Sequence, residues 1–116
     1  MKGCKPLTIE DLVQEIIRSE KVVIVEGKKD VARLEKLGVS KVVSLSRMPL
    51  CTFCEKIANN HNEVILLMDN DPEGRKLYSK LKLELGNLGI KINSRYQENL
   101  AKLKISHVEG IKLKGE

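Results

Sequence analysis

The chain has no tryptophan, one phenylalanine (Phe53) and two tyrosines (Tyr78 and Tyr96) among its 116 residues. Single-stranded bases are usually gripped by stacking on aromatic faces, and so low an aromatic content excludes that kind of platform. No apolar run reaches the roughly 18 residues a membrane helix needs, so no membrane partner is expected. The charges of Met1-Lys2-Gly3-Cys4-Lys5-Pro6 have no apolar segment behind them, which argues against a secretory signal and for a cytoplasmic protein. Cysteine is sparse and odd in number, with Cys4, Cys51 and Cys54; in a reducing compartment this excludes a disulfide framework. Cys51-x-x-Cys54 followed by His61 has part of the spacing of a zinc site, but structural zinc wants four ligands and the fourth would be distant Cys4. Cys54 also falls on an apolar helical stripe, so a packing role is expected. Internal repeats, linkers and low-complexity segments are absent as well.

What remains is a chain of single-domain length in which strand and helix patterns alternate. Leu7 to Arg18 reads as an amphipathic helix with Thr8 as its N-cap. Val22 to Val25 is apolar on both faces, as in a central strand, and ends at Glu26-Gly27. A helix is expected over Val31 to Leu37, capped by Asp30 and stopped by Gly38. Lys41 to Leu45 is a short strand. A helix follows with Leu50, Phe53, Cys54, Ile57 and Ala58 on one face. Glu63 to Met68 is another buried strand, and a helical pattern resumes at Leu77 with Tyr78, Leu81, Leu85 and Leu88. Ile90 to Ile92 starts a fourth strand. Ser94-x-x-Gln97 has the form of a capping box ahead of Tyr96, Leu100 and Leu103, which places both tyrosines in the core. Val108 to Leu113 fits either a short strand or an ordered tail. The expected organisation is an N-terminal amphipathic helix (1–19), a central domain (20–105) and a C-terminal extension (106–116). The fold class is α/β, a Rossmann-like parallel sheet of about four strands with helices on both faces.

The chemistry gathers where the strands end. Asp69 and Asp71 follow an apolar strand and are two apart, a spacing that puts both side chains on one side of an extended chain. Right-handed crossovers place the carboxyl ends of parallel strands on one edge, so Glu26 is expected to meet them there. Close carboxylates repel unless a proton or a cation sits between them, and a hard divalent ion suits an all-oxygen set. Glu26, Asp69 and Asp71 are therefore the candidate metal ligands and catalytic groups, for one or two Mg²⁺ ions with Mn²⁺ as a substitute. Such ions activate water or hydroxyl groups and stabilise leaving oxygens in phosphoryl chemistry. Gly27 and Gly74 leave room for a backbone phosphate. Lys28, Lys29, Arg75 and Lys76 supply cations able to contact it. The formal charge of +5, from 21 basic against 16 acidic residues, fits a polyanionic partner as it fits a merely soluble lysine-rich surface.

Glu26-Gly27-Lys28-Lys29-Asp30 after one apolar strand, and Asp69-Asn70-Asp71-Pro72-Glu73-Gly74-Arg75 after another, resemble the Toprim domain over about residues 20 to 100. That domain is shared by type IA and type II topoisomerases, bacterial-type primases, recombination-repair proteins, overcoming-lysogenization-defect nucleases and the nuclease that matures 5S ribosomal RNA. The resemblance implies that Glu26 binds metal and serves as general acid or base, and that Asp69 and Asp71 are the metal-binding acids of an Asp-x-Asp motif. Arg75 stands where topoisomerases carry a further glutamate. That departure, like the lack of a partner domain bearing a cleavage tyrosine, points away from topoisomerases. The Gly-Arg-Lys ending looks more like primases and the 5S-maturation nuclease, and the chain most resembles small stand-alone Toprim proteins. The resemblance implies Mg²⁺-dependent cleavage or formation of phosphodiester bonds in nucleic acid, RNA slightly ahead of DNA, with any polymerisation relying on protein partners. A non-catalytic module that uses a metal to grip nucleic acid or a protein partner is the alternative. A phospho-receiver or haloacid-dehalogenase-type phosphatase fits less well, because the latter begins its Asp-x-Asp on strand one, where this chain has Glu26-Gly27.

Overall fold

The computed structural model describes residues 7–45, 47–105 and 107–111. Cys4 and residues 112–116 lie outside the described residues, and with them the fourth-ligand role considered for Cys4 and the last part of the Val108 to Leu113 segment. Four short strands form one parallel sheet: β1 (Val22–Val25), β2 (Val42–Ser44), β3 (Glu63–Leu66) and β4 (Lys91–Asn93), in the order β2-β1-β3-β4. The two central strands have side chains buried on both faces. This is why their sequences are nearly all apolar rather than alternating. β1 pairs with β3 through Val22–Val64, Val23–Ile65 and Ile24–Leu66, so the two strands finish level with each other.

Five helices cover the sheet: α1 (Ile9–Ser19), α2 (Lys28–Lys36), α3 (Leu50–Asn60), α4 (Pro72–Asn87) and α5 (Arg95–Lys102). On one face Leu12, Val13 and Ile16 of α1, Leu34 of α2 and Tyr96 and Leu100 of α5 pack with Val23, Val25, Ile65 and Leu67. On the other, Phe53, Cys54 and Ile57 of α3 and Leu81 and Leu85 of α4 pack with Val22, Ile24, Val64, Leu66 and Met68. The pleat separates the two sets, since successive residues of a strand face opposite layers. Tyr96 is buried in the first layer and Tyr78 packs half-buried against the second. Among the described residues no helix is long and apolar enough to cross a membrane.

Local signals set several helix ends. The Thr8 hydroxyl accepts a hydrogen bond from the Asp11 N–H at 3.1 Å and caps α1. α2 ends as expected at Gly38, whose φ of +106° lets the Gly38 and Val39 N–H groups bond back to Glu35 and Leu34. Its start differs from the expectation. Gly27 is the N-cap and α2 begins at Lys28, three residues earlier than the apolar pattern. Asp30 sits inside the first turn, where its carboxylate accepts the Gly27 N–H at 3.2 Å. The charged pair Lys28-Lys29 hid this turn from a reading based on apolar spacing. After α5 the chain makes a single 3-10 turn (Val108–Gly110), an ordered segment rather than a strand, and buries Val108 and Ile111 in the first layer.

The two described cysteines are free thiols in opposite settings, Cys51 exposed and Cys54 fully buried in the α3–α4 layer. Burial, then the nearby Glu84 carboxylate and the Cys51 thiol, push the Cys54 thiol up to about 11. At pH 8 about one Cys54 in a thousand would be thiolate, the reactive form. Iodoacetamide is therefore expected to label Cys51 and spare Cys54 in the native protein, and to label both in denaturant, as read by peptide mass mapping. Native labelling of Cys54 at the rate of Cys51 would contradict its packing role.

Candidate metal centre

The strand order fixes where a ligand can sit. From β1 the chain moves outward to β2, returns across to β3, and then moves the other way to β4. The crossovers leaving β1 and β3 therefore diverge to opposite faces. In open α/β sheets the crevice between two such strands, beyond their carboxyl ends, is where ligands bind. Glu26 follows β1, and Asp69 and Asp71 follow the extension of β3, so all three carboxylates reach this crevice.

They meet through the backbone. The Asp69 N–H donates to Glu26 Oε1 at 3.4 Å, joining the two strand ends. Asp69 Oδ1 accepts the Val108 N–H at 2.9 Å, and Asp71 Oδ1 accepts the Gly74 N–H at 2.7 Å. Each carboxylate thus spends one oxygen on a backbone donor, which fixes its orientation. No Lys or Arg pairs with Glu26, Asp69 or Asp71 among the described residues. The uncompensated charge shows at Glu26. Its carboxyl is held above the usual range, first by burial, against which the Asp69 N–H works, and then by repulsion from Asp69, Asp71 and Asp30.

Asp71 has a second job that the sequence reading missed. It is the N-cap of α4, with Pro72 in the first turn, so the helix starts five residues before Leu77. Asp-Pro is a recognised helix start, since proline lacks the N–H that the first turn leaves unpaired. Gly74, the third residue of that turn, is buried. A Cβ built on it would stand 1.9 Å from the Asp69 carbonyl oxygen and 3.1 Å from Asp71 Oδ1. The residue read as room for phosphate is thus first a close contact between helix and loop. Gly27 differs, for nothing lies within 4 Å of a Cβ placed there. Lys28, Lys29, Arg75 and Lys76 are all exposed, the first pair opening α2 and the second in the first turn of α4. Arg75 Nη1 donates to Asn70 Oδ1 at 3.3 Å, which tethers it over the Asp-x-Asp loop.

Two residues that sequence reasoning did not place here complete the arrangement. Gln97 does not form the expected capping box with Ser94, whose hydroxyl donates instead to Glu98 at 3.3 Å. The Gln97 amide reaches back to Met68, accepting its N–H and donating to its carbonyl, both at 2.9 Å. Beyond the last β3–β4 pair, Ile65–Asn93, this side chain stands in for a neighbouring strand and holds the residue immediately before Asp69. The second is His107, whose Nδ1 lies 3.4 Å from Asp69 Oδ2. Its only hint in the sequence was the apolar pair Val108 and Ile111, three apart, which anchors this segment in the core.

Asp69, Asp71 and His107 each offer a ligand atom, and these atoms lie within 4.8 Å of one another; no trio containing Glu26 among the described residues is as compact. An ion with ligand distances of about 2.0–2.1 Å draws its donors to within about 4.2 Å of one another, so a small inward rotation of these side chains would close the set on it. The carboxylate oxygens of Asp69 and Asp71 not taken by backbone donors, the His107 imidazole and Glu26 alongside make a donor set suited to a divalent ion.

A family model described as the Toprim domain matches residues 21–109. A UPF0292 protein of Pyrococcus horikoshii is 34% identical over 103 residues, which span 88% of this chain and 77% of that protein. A UPF0292 protein of Methanocaldococcus jannaschii is 37% identical over 94 residues, spanning 79% and 72%. Among solved structures, a putative protein from Aquifex aeolicus superposes with a TM-score of 0.85 at 29% identity, over 91% of this chain and all of that one, 100%.

Proposed function

Because the chain belongs to the Toprim domain family, which associates divalent metal with nucleic acid, we propose that it carries out Mg²⁺- or Mn²⁺-dependent phosphodiester chemistry on nucleic acid, with RNA favoured as substrate and hydrolysis as the simplest reaction. The observation that carries this reading is the hydrogen bond from the Asp69 N–H to Glu26, which puts the ends of β1 and β3 in one site at the crevice. Asp69 and Asp71 would hold the ion through the oxygens their backbone bonds leave free. A bound divalent ion lowers the pKa of a water or hydroxyl and stabilises a leaving oxygen. Glu26 stands beside that pair without being part of the tightest ligand set. Its carboxyl is raised, first by burial and then by repulsion from Asp69 and Asp71, the direction that favours a general base. We assign it the general base that accepts the proton of the attacking water, and it lends its charge to the metal site as well. Gly27 leaves open space at the start of α2, and Lys28, Lys29, Arg75 and Lys76 surround the crevice with positive charge for the phosphates on either side of the scissile bond. Nucleotide polymerisation would need a template site from a partner protein.

The test is incubation with labelled RNA and DNA panels, with Mg²⁺ or Mn²⁺, with and without nucleotides. Shortened products with loss of roughly 100- to 10,000-fold in the Glu26→Gln variant are expected for a general base. Gln keeps an acceptor for the Asp69 N–H, so the fold stays intact. Ion-dependent mobility shifts with no product would select the non-catalytic alternative, a module that grips nucleic acid through the metal. Wild-type turnover in Glu26→Gln would remove Glu26 from the chemistry.

A further inference from the structure

We infer that His107 is a third protein ligand of the metal ion, and that its nitrogen makes the site prefer a first-row transition ion, Mn²⁺, over Mg²⁺. The inference rests on the metal site proposed above and goes beyond the acidic residues of the two sequence motifs. The imidazole is 3.4 Å from Asp69 Oδ2 and belongs with Asp69 and Asp71 to the set whose ligand atoms lie within 4.8 Å of one another. It is not carried there on a free tail. Val108 and Ile111, on its C-terminal side, are 1% and 0% exposed. The 3-10 turn packs against α2. The Val108 N–H binds the same carboxylate at 2.9 Å. One chain segment therefore fixes Asp69 Oδ1 with its backbone and brings a nitrogen to Asp69 Oδ2 with the adjacent side chain. The ring itself is 57% exposed, so water or a phosphate oxygen could reach the site beside it.

The chemistry of the donors sets the preference. Mg²⁺ favours oxygen ligands and gives up water reluctantly, so an imidazole adds little to its affinity. Mn²⁺ is the weakest nitrogen binder of the first transition row, yet it accepts an imidazole more readily than Mg²⁺ does, so a mixed carboxylate–imidazole set tips toward it. A site of two aspartates alone would separate Mg²⁺ from Mn²⁺ weakly; adding His107 separates them.

Mn²⁺ binding is followed by the loss of the free-ion electron paramagnetic resonance signal, with Mg²⁺ as competitor, in wild type, His107→Ala, His107→Gln and His61→Ala. The other histidine of the chain, His61, caps the C-terminal end of α3 just ahead of β3, at the opposite edge of the sheet. Wild type and His61→Ala are expected to bind Mn²⁺ about tenfold or more tightly than Mg²⁺, and pulsed spectra of the bound ion should show a coupled ¹⁴N nucleus. Both His107 variants should lose the ¹⁴N coupling and most of the preference, with Mg²⁺ affinity within about threefold of wild type. Unchanged Mn²⁺ affinity and no ¹⁴N coupling in wild type would overturn the role of His107 while leaving the carboxylate site standing. Failure of wild type to bind Mn²⁺ at millimolar concentration would overturn the metal site and this inference together.

Discussion

Gly74→Ala is expected to be the most damaging single-methyl change in the chain, lowering stability by roughly 3 kcal/mol or more and destroying metal binding. The cause is steric. The new Cβ would sit 1.9 Å from the Asp69 carbonyl oxygen and 2.7 Å from its carbon, both backbone atoms with no rotamer to yield. The first turn of α4 must then separate from the loop that ends β3. That separation breaks the 2.7 Å bond from the Gly74 N–H to Asp71 Oδ1 and displaces Asp69 relative to Glu26 and His107. Helix propensity alone predicts the opposite sign, since alanine is favoured over glycine by about 1 kcal/mol within a helix. A denaturant melt of wild type and Gly74→Ala decides between the two effects. A variant as stable as wild type would show that helix and loop are not in the contact described. Gly86→Ala serves as control, because nothing lies within 4 Å of a Cβ at Gly86. It should gain stability from propensity or change little.

Asp71→Asn is expected to cost activity without costing the fold. Asparagine is as good an N-cap as aspartate. The Gly74 N–H keeps an acceptor, and the cap geometry of α4 survives. What disappears is the negative charge beside Asp69. Metal affinity and turnover should each fall by roughly a hundredfold or more, given that one charged ligand is replaced by a neutral one in a site with few protein ligands. Metal-free stability should hold or rise, because the substitution removes one of the negative charges that add to burial in raising the Glu26 carboxyl. Asp71→Ala removes the cap too and should lose about 0.5–2 kcal/mol in addition. Comparing the two by thermal melts and by nucleic-acid turnover separates the structural job of Asp71 from its proposed chemical one. Asp71→Asn with wild-type turnover would leave this residue a helix cap and nothing more.

The parts of this molecule that could be read from the sequence are those whose signals are local and periodic. The runs at Val22–Val25 and Glu63–Leu66 could only be central strands, because every position in them is buried or nearly so. Their alternation with helical stripes gave a parallel sheet, and a parallel sheet gave the shared edge where Glu26 and Asp69 meet. The parts that were hidden depend on contacts between distant segments. Ser94-x-x-Gln97 has the letters of a capping box, yet Gln97 gains more by supplying both missing hydrogen bonds of Met68, a residue 29 positions away. An unpaired buried backbone group costs about 1–3 kcal/mol, more than a second bond at an exposed cap returns. Asn99 behaves in the same manner, clamping the N–H and carbonyl of Leu7 at 2.7 and 3.0 Å and so tying the start of the chain to α5. The early start of α4 was present in the Asp71-Pro72 pair but was masked by charged residues and a buried glycine, which apolar spacing does not register. His107 was out of reach for a simpler reason. Its place beside Asp69 is set by where Val108 and Ile111 find room in the core, and no pattern near His107 itself carries that information.

Asp69 and Asp71, beyond the end of β3, are proposed to hold one divalent ion, with Glu26 from the end of β1 beside it. Crystals grown with Mn²⁺ and measured for anomalous scattering test this arrangement directly. A manganese peak is expected within about 2.0–2.3 Å of oxygens from both Asp69 and Asp71, with Glu26 beside it. A peak held by other residues, or none at saturating Mn²⁺, would contradict the arrangement.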